Sequence, residues 1–254
     1  MNILKNTSLK KYNTFGIESV AKQFVTVNSF SELKEIISFE KDIFLLSGGS
    51  NMLLTKNINK LVVHLNLKGI IVNDADTDFV FVTAEAGESW HDFVVWCISQ
   101  NYGGLENLSL IPGYVGSSPI QNIGAYGVEI KDTFYQLEAL EIETGKLHVF
   151  TNKDCDFGYR NSIFKNKLKG KFIITNVTFK LTKHTHKINI FPSNYVNSYE
   201  FDIMNNPQKY IKHMIYMCIE LEKLQVKSFQ FFPLRNNIIY KFIPIDTKSL
   251  IELF

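Results

Sequence analysis

Residues 111–129 read IPGYVGSSPIQNIGAYGVE. Gly113, Gly116, Gly124 and Gly127 stand in this stretch, with Gly104 just upstream, among small side chains, two prolines and a single acid. Glycine permits backbone angles and close approaches that a β-carbon forbids, so a dense run of it brings bare amides up to a ligand. A phosphate suits such a surface. A shorter run of the same kind, Ser47-Gly48-Gly49-Ser50-Asn51, follows the apolar segment Ile43–Leu46. Either run alone reads as an ordinary loop. Together, each after a strand-like segment, they point to one large anionic cofactor held from two sides. Neither is a G-x-G-x-x-G opening a helix or a G-x-x-x-x-G-K-[ST], which disfavours a Rossmann or P-loop site.

The 254 residues suffice for one large domain or two modest ones with a substantial core. A formal charge of +2 leaves no basic footprint, so nucleic acid is not expected as a partner. Cys97, Cys155 and Cys218 are too few and too scattered for a disulfide framework or a zinc site, which implies a reducing, cytoplasmic setting. The start, MNILKNTSLKKYNTFG, has no apolar core of signal-peptide length, and no apolar run reaches about 18 residues, so neither export nor a membrane span is expected. Oligomeric state leaves no readable mark.

Working outward, NTSLKKYNTFG (6–16) reads as an extended lead-in and Val20–Val27 as a strand. Ser29 followed by Glu32 forms a capping box for a helix through Ile37. Ile43–Leu46, Met52–Leu54, Leu61–Leu65 and Phe79–Ala84 read as strands, and Ser89–Gln100 as a helix stopped at Asn101–Gly104. Beyond the long glycine run the pattern turns to β: Phe134–Ile142, Lys146–Thr151 and Lys171–Lys180, with a hairpin turn at 143–146. Residues 17–182 therefore form one α+β unit of two lobes, about 1–65 and 66–182, with the glycine run at their join. From Lys183 the composition shifts to Asn, Lys, Ile, Tyr and Phe, with no glycine after Gly170. A helix is expected between Pro207 and Leu224, followed by apolar fragments Phe229–Leu234 and Ile238–Ile245.

Arg160, in CDFGYRNSIFK (155–165), is the first side chain to single out, because a guanidinium forks onto a carboxylate and can stabilise charge developing on it. A surface salt bridge is the competing reading. Tyr126 offers a face for a flat ring or simple packing; Ser117 and Ser118 offer hydroxyls to phosphate oxygens or belong to an ordinary turn. His91 and His148 read as structural, and His184 and His186 lack ligand partners, so no metal is expected. Glu85/Glu88 and Glu141/Glu143 read as solvated faces.

Taken in order, NTFG, LSGGSNMLL within 45–54, AGESWHDFVVWC, GLENLSLIPG running into the long glycine stretch, and CDFGYRNSIFK closely resemble the UDP-N-acetylenolpyruvoylglucosamine reductase family of flavoenzymes over about residues 6–182. The resemblance implies a flavin domain of the vanillyl-alcohol-oxidase (PCMH) type followed by a partial α/β substrate domain. FAD would be reduced by NADPH, and hydride would reach the enolpyruvyl double bond of a UDP-sugar on the route to peptidoglycan. Ser47, Gly48, Gly49, Ser50 and Asn51, with Gly113, Gly116, Ser117, Ser118, Gln121, Asn122, Gly124, Ala125 and Tyr126, would hold FAD. Arg160 would bind the substrate carboxylate and Tyr159 would share its pocket.

The resemblance fades after about residue 190, where the family's K-L-P-D-P and G-N-x-G-S motifs have no counterpart. Ser228, in KSFQFFP, is the candidate proton donor by analogy; Tyr195 or Tyr199 would cover the substrate; and Glu252 lies in no matching context for the family's catalytic glutamate. A working but diverged substrate lobe, a reading-frame change, and a paralogue that binds FAD or UDP-sugar without reductase activity all fit this tail.

Overall fold

The computed structural model describes residues 2–74, 76–125, 127–183, 230–234 and 237–241. The chain divides into two compact units, Met1–His186 and Lys187–Phe254. The first begins with a four-stranded sheet built from β1 (Leu4–Ser8), β2 (Val20–Val27), β3 (Ile43–Leu46) and β4 (Ile58–Leu65), in the order β1-β2-β4-β3. β1 runs antiparallel to β2, while β2 and β3 each run parallel to β4. Parallel neighbours need a crossover. That between β2 and β3 is α1 (Phe30–Phe39), whose Leu33, Ile36 and Ile37 face the core at helical spacing. The Ser29 hydroxyl accepts from the Glu32 amide at 3.2 Å and the Glu32 carboxylate accepts from the Asn28 amide at 2.7 Å, so the expected box forms one residue wide of its ideal register.

The second sheet is antiparallel throughout, in the order β10-β9-β11-β6-β5. Its strands are β5 (Ile70–Asp74), β6 (Phe79–Glu85), β9 (Phe134–Glu141), β10 (Leu147–Thr151) and β11 (Phe172–Thr182). Between β6 and β9 lie α2 (Trp90–Ser99) and a minimal ladder of β7 (Gly124–Ala125) and β8 (Val128–Glu129). Asn101, at φ +60°, takes the left-handed conformation expected of a helix stop. The β9–β10 hairpin closes where Gly145, at φ +66°, donates to the Glu141 carbonyl.

One apolar cluster draws on Val25, Val63 and Leu65 of the first sheet, Leu33 and Ile37 of α1, and Leu140 and Ile173 of the second sheet. Burial of this kind is worth about 25 cal/mol per Å² of apolar surface, and here it joins the two sheets into one body. On the α2 side, Trp90, Phe93 and Phe179 meet with ring centroids 5.3–6.1 Å apart, and the Trp90 indole donates to the Leu108 carbonyl at 2.6 Å. Buried Trp needs such a partner.

Some expectations change. Met52–Leu54 is not a strand: Leu54 is buried and Met52 packs beside it in a cluster with Phe24 and Leu46, but their backbone joins no ladder. Leu53 between them is exposed, and two apolar side chains bury equally well from coil. The lead-in contains a true strand, β1, and β5 was not anticipated at all. In the second unit, β12 (Gln230–Leu234) and β13 (Asn237–Lys241) form an antiparallel pair. The expected helix between Pro207 and Leu224 lies outside the described residues, as do Tyr195, Tyr199, Ser228 and Glu252.

A β-carbon at Gly87 would sit 2.6 Å from both the amide nitrogen and the carbonyl oxygen of Leu67, whereas one at Gly145 would meet nothing within 4 Å. Gly87→Ala is expected to lose about 3 kcal/mol or more through overpacking against backbone. Gly145→Ala should lose only the left-handed penalty of about 1–2 kcal/mol. Urea unfolding of the two variants side by side checks the difference.

Candidate functional site

The two glycine runs meet. A β-carbon on Gly48 would lie 3.1 Å from the Tyr114 ring and 3.2 Å from Gly113 Cα, and one on Gly113 would lie 3.1 Å from Ser50 Oγ and 3.4 Å from Ser117 Oγ. Farther along, Asn51 donates its side-chain amide to Gln121 Oε1 at 3.1 Å. Gly49, at φ +64°, presses so closely on the Tyr12 carbonyl that a β-carbon would stand 1.9 Å from it. The NTFG segment is what holds that wall in place. Buried Asn13 donates to the carbonyls of Leu9 and Ile17 and accepts from the Ile17 amide, and Thr14 donates its amide to Gly49.

The long run is tied down from beneath. Trp90 donates its amide to the Gly113 carbonyl, Val115 to Glu88 and Gly116 to Ala86. A β-carbon on Gly116 would stand 2.5 Å from that of Ala86, so only glycine lets the run lie this close to the end of β6. Ser117 and Ser118 donate their hydroxyls to the Tyr114 and Val115 carbonyls at 2.8 and 2.7 Å, and Ser118 is fully buried. Both oxygens can still accept. Ser47 differs, because its hydroxyl oxygen is buried and has no partner among the described residues. An orphaned hydroxyl in a cradle of close backbone is a fit for a phosphate-bearing group, which would supply the missing partner.

Sequence reasoning missed the aromatic and cationic wall of this cradle. His64 on β4 lies between Tyr12, Phe24 and Tyr114, at ring distances of 5.0, 6.1 and 6.4 Å. Lys68 stands 5.3 Å from the centre of the Tyr114 ring and Lys11 stands 5.1 Å from that of Tyr12. Burial first, then these two lysines, pushes the His64 pKa below 6.5 and keeps the ring neutral. The signal in the sequence was a lone histidine inside the apolar strand LVVHL. Two cations flanking the glycines favour an anion there.

The arginine turn docks on the same run. Gly158 and Asn161 exchange both backbone hydrogen bonds at 3.1 Å, leaving Tyr159 and Arg160 at the tip of a two-residue hairpin. Tyr159 is 78% exposed, and Arg160 adopts φ +51°. The Arg160 guanidinium donates to the Gly124 carbonyl at 2.8 Å. Asn122, which is fully buried, donates to the Gly158 carbonyl at 2.9 Å and accepts from the Lys131 amide at 3.2 Å. Asn122 and Gly124 thus meet the arginine turn, Gln121 faces Asn51 and Ala125 pairs with Val128, while Tyr126 is outside the described residues.

Of the other titratable residues, Glu85 is half-buried rather than solvated, and burial, then Glu138 and Glu88, raises its pKa. Glu88 accepts from the Gly69 amide at 2.8 Å and faces Lys68 at 3.5 Å. His91 accepts at Nδ1 from the Leu110 amide at 3.2 Å, a structural role, and burial lowers its pKa. Burial likewise pushes the Cys155 thiol up to about 12, which leaves it inert as a nucleophile.

With this geometry in view, the family model described as an FAD binding domain matches residues 21–151, about half of the chain, and the chain belongs to that family. Over 191 residues it is 60% identical to the UDP-N-acetylenolpyruvoylglucosamine reductase of Flavobacterium johnsoniae, covering 74% of this chain and 57% of that protein. The Pseudomonas putida protein of the same name is 47% identical over 186 residues, covering 72% of this chain and 55% of the relative. The chain thus spans little more than half the length of these relatives. Among solved structures, the UDP-N-acetylenolpyruvylglucosamine reductase (MurB) of Thermus caldophilus superposes with a TM-score of 0.56 at 26% identity, over 71% of this chain and 61% of its own. A solvent-stable cholesterol oxidase shares the fold alone, with a TM-score of 0.52 at 16% identity over 70% of this chain and 37% of its own. The fold is the α+β flavin domain of the vanillyl-alcohol-oxidase (PCMH) type, and the cofactor is FAD.

Two outcomes follow from the cradle. Ser47→Ala should leave the stability of the FAD-free protein unchanged or higher, since the lost hydroxyl has no partner among the described residues, yet weaken FAD binding up to about tenfold. Titration of the FAD-free protein with FAD reads this directly. For His64 and His91 the folded pKa lies below the unfolded value of 6.5, so the unfolded state binds more protons below that value. Stability is therefore full above pH 6.5 and is lost as pH falls through it. Urea midpoints between about pH 7 and pH 5 should fall more steeply in the native chain than in the His64→Gln/His91→Gln variant.

Proposed function

We propose that the protein to which this chain belongs is an NADPH-dependent reductase of UDP-N-acetylglucosamine enolpyruvate. It would make UDP-N-acetylmuramate for peptidoglycan in the cytoplasm, and so serve cell shape and division. The observation that supports this most is the 60% identity over 191 residues to a reductase of that name, in a region that includes a glycine cradle and an arginine fixed against it. No described helix is long and apolar enough to cross a membrane. In this reading residues 1–182 are the flavin domain and 183–254 a substrate-binding region.

Bound FAD would supply the redox chemistry, a hydride relay between NADPH and the enolpyruvyl double bond. The chain's own residues position and polarise. Ser47–Asn51 and Gly113–Ser118 would hold the phosphates, with Lys11 adding positive charge beside them. Arg160 commits one of its five N–H donors to Gly124 among the described residues, and the fork of its guanidinium suits the substrate carboxylate. Held there, it stabilises the negative charge that spreads onto the carboxylate as the double bond is reduced. Tyr159, exposed beside it, would line the same pocket, and Ser228, outside the described residues, would return the proton.

Anaerobic stopped-flow spectroscopy tests this. NADPH should bleach the flavin, and the enolpyruvyl substrate should restore its colour. A flavin that bleaches and stays bleached would overturn the reductase reading. Arg160→Ala should lower turnover about 10²–10³-fold while flavin absorbance is kept; loss of FAD instead would remove Arg160 from the substrate side.

A further inference from the structure

The cofactor cradle and the arginine turn are far apart in sequence, yet they are joined by reciprocal side-chain bonds. Asn122, on the glycine run, donates to the carbonyl of Gly158 on the turn, 36 residues away. Ser162, on the turn's outgoing arm, donates its hydroxyl at 2.7 Å to the carbonyl of Ile120 on the run, 42 residues away. Both side chains are completely buried. Each is also fixed on its own side, Asn122 by the Lys131 amide at 3.2 Å and Ser162 by the Phe164 amide at 3.2 Å. Arg160 makes the third link, donating one of its five N–H groups to Gly124.

We propose that Asn122 and Ser162 are positioning residues, a clasp that sets Arg160 at a fixed place relative to the flavin cradle. The inference rests on the reading of Arg160 as the group that binds the substrate carboxylate. A two-residue hairpin whose tip residue holds φ +51° is free to pivot about its arms unless something holds them. Asn122 holds the incoming arm and Ser162 the outgoing one, and neither bond involves the guanidinium. The turn therefore stays in register whichever of its N–H donors Arg160 turns to a carboxylate. A catalytic group displaced by about 1 Å can lose about 10²-fold in rate, so the clasp matters for chemistry although it touches no reacting atom.

The test uses the full chain with FAD and two variants, each decisive alone. Asn122→Gly keeps the left-handed backbone that Asn122 holds at φ +45° and removes only the side chain, and Ser162→Ala removes only the hydroxyl. Expected for both is a KM for the enolpyruvyl UDP-sugar raised about tenfold or more, with FAD content and flavin spectrum unchanged in Ser162→Ala. In an Arg160→Ala background, Asn122→Gly should add nothing further to KM, because the clasp acts through that arginine. A second readout needs no turnover: the side-chain ¹⁵N resonances of Arg160 in the FAD-free protein, assigned by their loss in Arg160→Lys, should move to the averaged position of a free guanidinium in either variant. Unchanged resonances with unchanged KM, or KM changes that add independently to those of Arg160→Ala, overturn the proposal. If the native chain turns over no substrate, the reductase reading falls and the resonances still decide the clasp.

Discussion

Three segments of backbone converge where β6 ends, and the site depends on how closely they do so. The Ala86 amide donates to the Thr175 carbonyl on β11, the Gly87 amide donates to Leu67 just past β4, and the Ala86 carbonyl accepts from Gly116 of the long glycine run. No side chain fits between them, since β-carbons on Gly87 or Gly116 would fall 2.6 and 2.5 Å from their neighbours. One point thus fixes the exit of the first sheet, a central pair of strands in the second, and the floor of the cradle. Packing then reinforces it, because Leu67 and Ala86 belong to the same apolar cluster as α1 and both sheets.

Much of this was legible in the sequence because the rules that made it are local. α1 showed itself through Ser29, Glu32 and the spacing of Leu33, Ile36 and Ile37. The α2 stop was written in Asn101, and the β9–β10 turn in Gly145. β5 escaped because Ile71 and Val72 are exposed on an edge strand, so the burial that gives a strand its alternating pattern is missing. Met52–Leu54 misleads for a different reason, because Met52 and Leu54 pack into the core from unpaired coil.

The site was legible as motifs but not as contacts. That the two glycine runs face each other, with Gly48 against Tyr114, depends on the join of two sheets and appears in no window of sequence. The same holds for His64, whose neighbours Tyr12, Phe24 and Tyr114 come from the N-terminal turn, β2 and the glycine run. Asn122 reads, through the resemblance, only as one of the residues that would hold FAD, and Ser162 as an ordinary polar loop residue. Their complete burial is set by partners 36 and 42 residues away, a separation at which pattern carries no information.

The pairing of β6 with β11 has a temporal side. Thr83 and Thr178 share a hydrogen bond across 95 residues of chain, and β6 has only the short edge strand β5 as its other neighbour. During synthesis at about 5–20 residues per second, β6 waits roughly 5–20 s for its main partner to be made. Over that interval the edge of β6 that pairs with β11 has its backbone N–H and C=O groups open to other strands. Long-range pairing of this kind is slow to form and prone to aggregate while it waits. The nascent chain is therefore adhesive at a stage when the first sheet is already complete and the glycine cradle, whose floor needs Thr175 in place, does not yet exist.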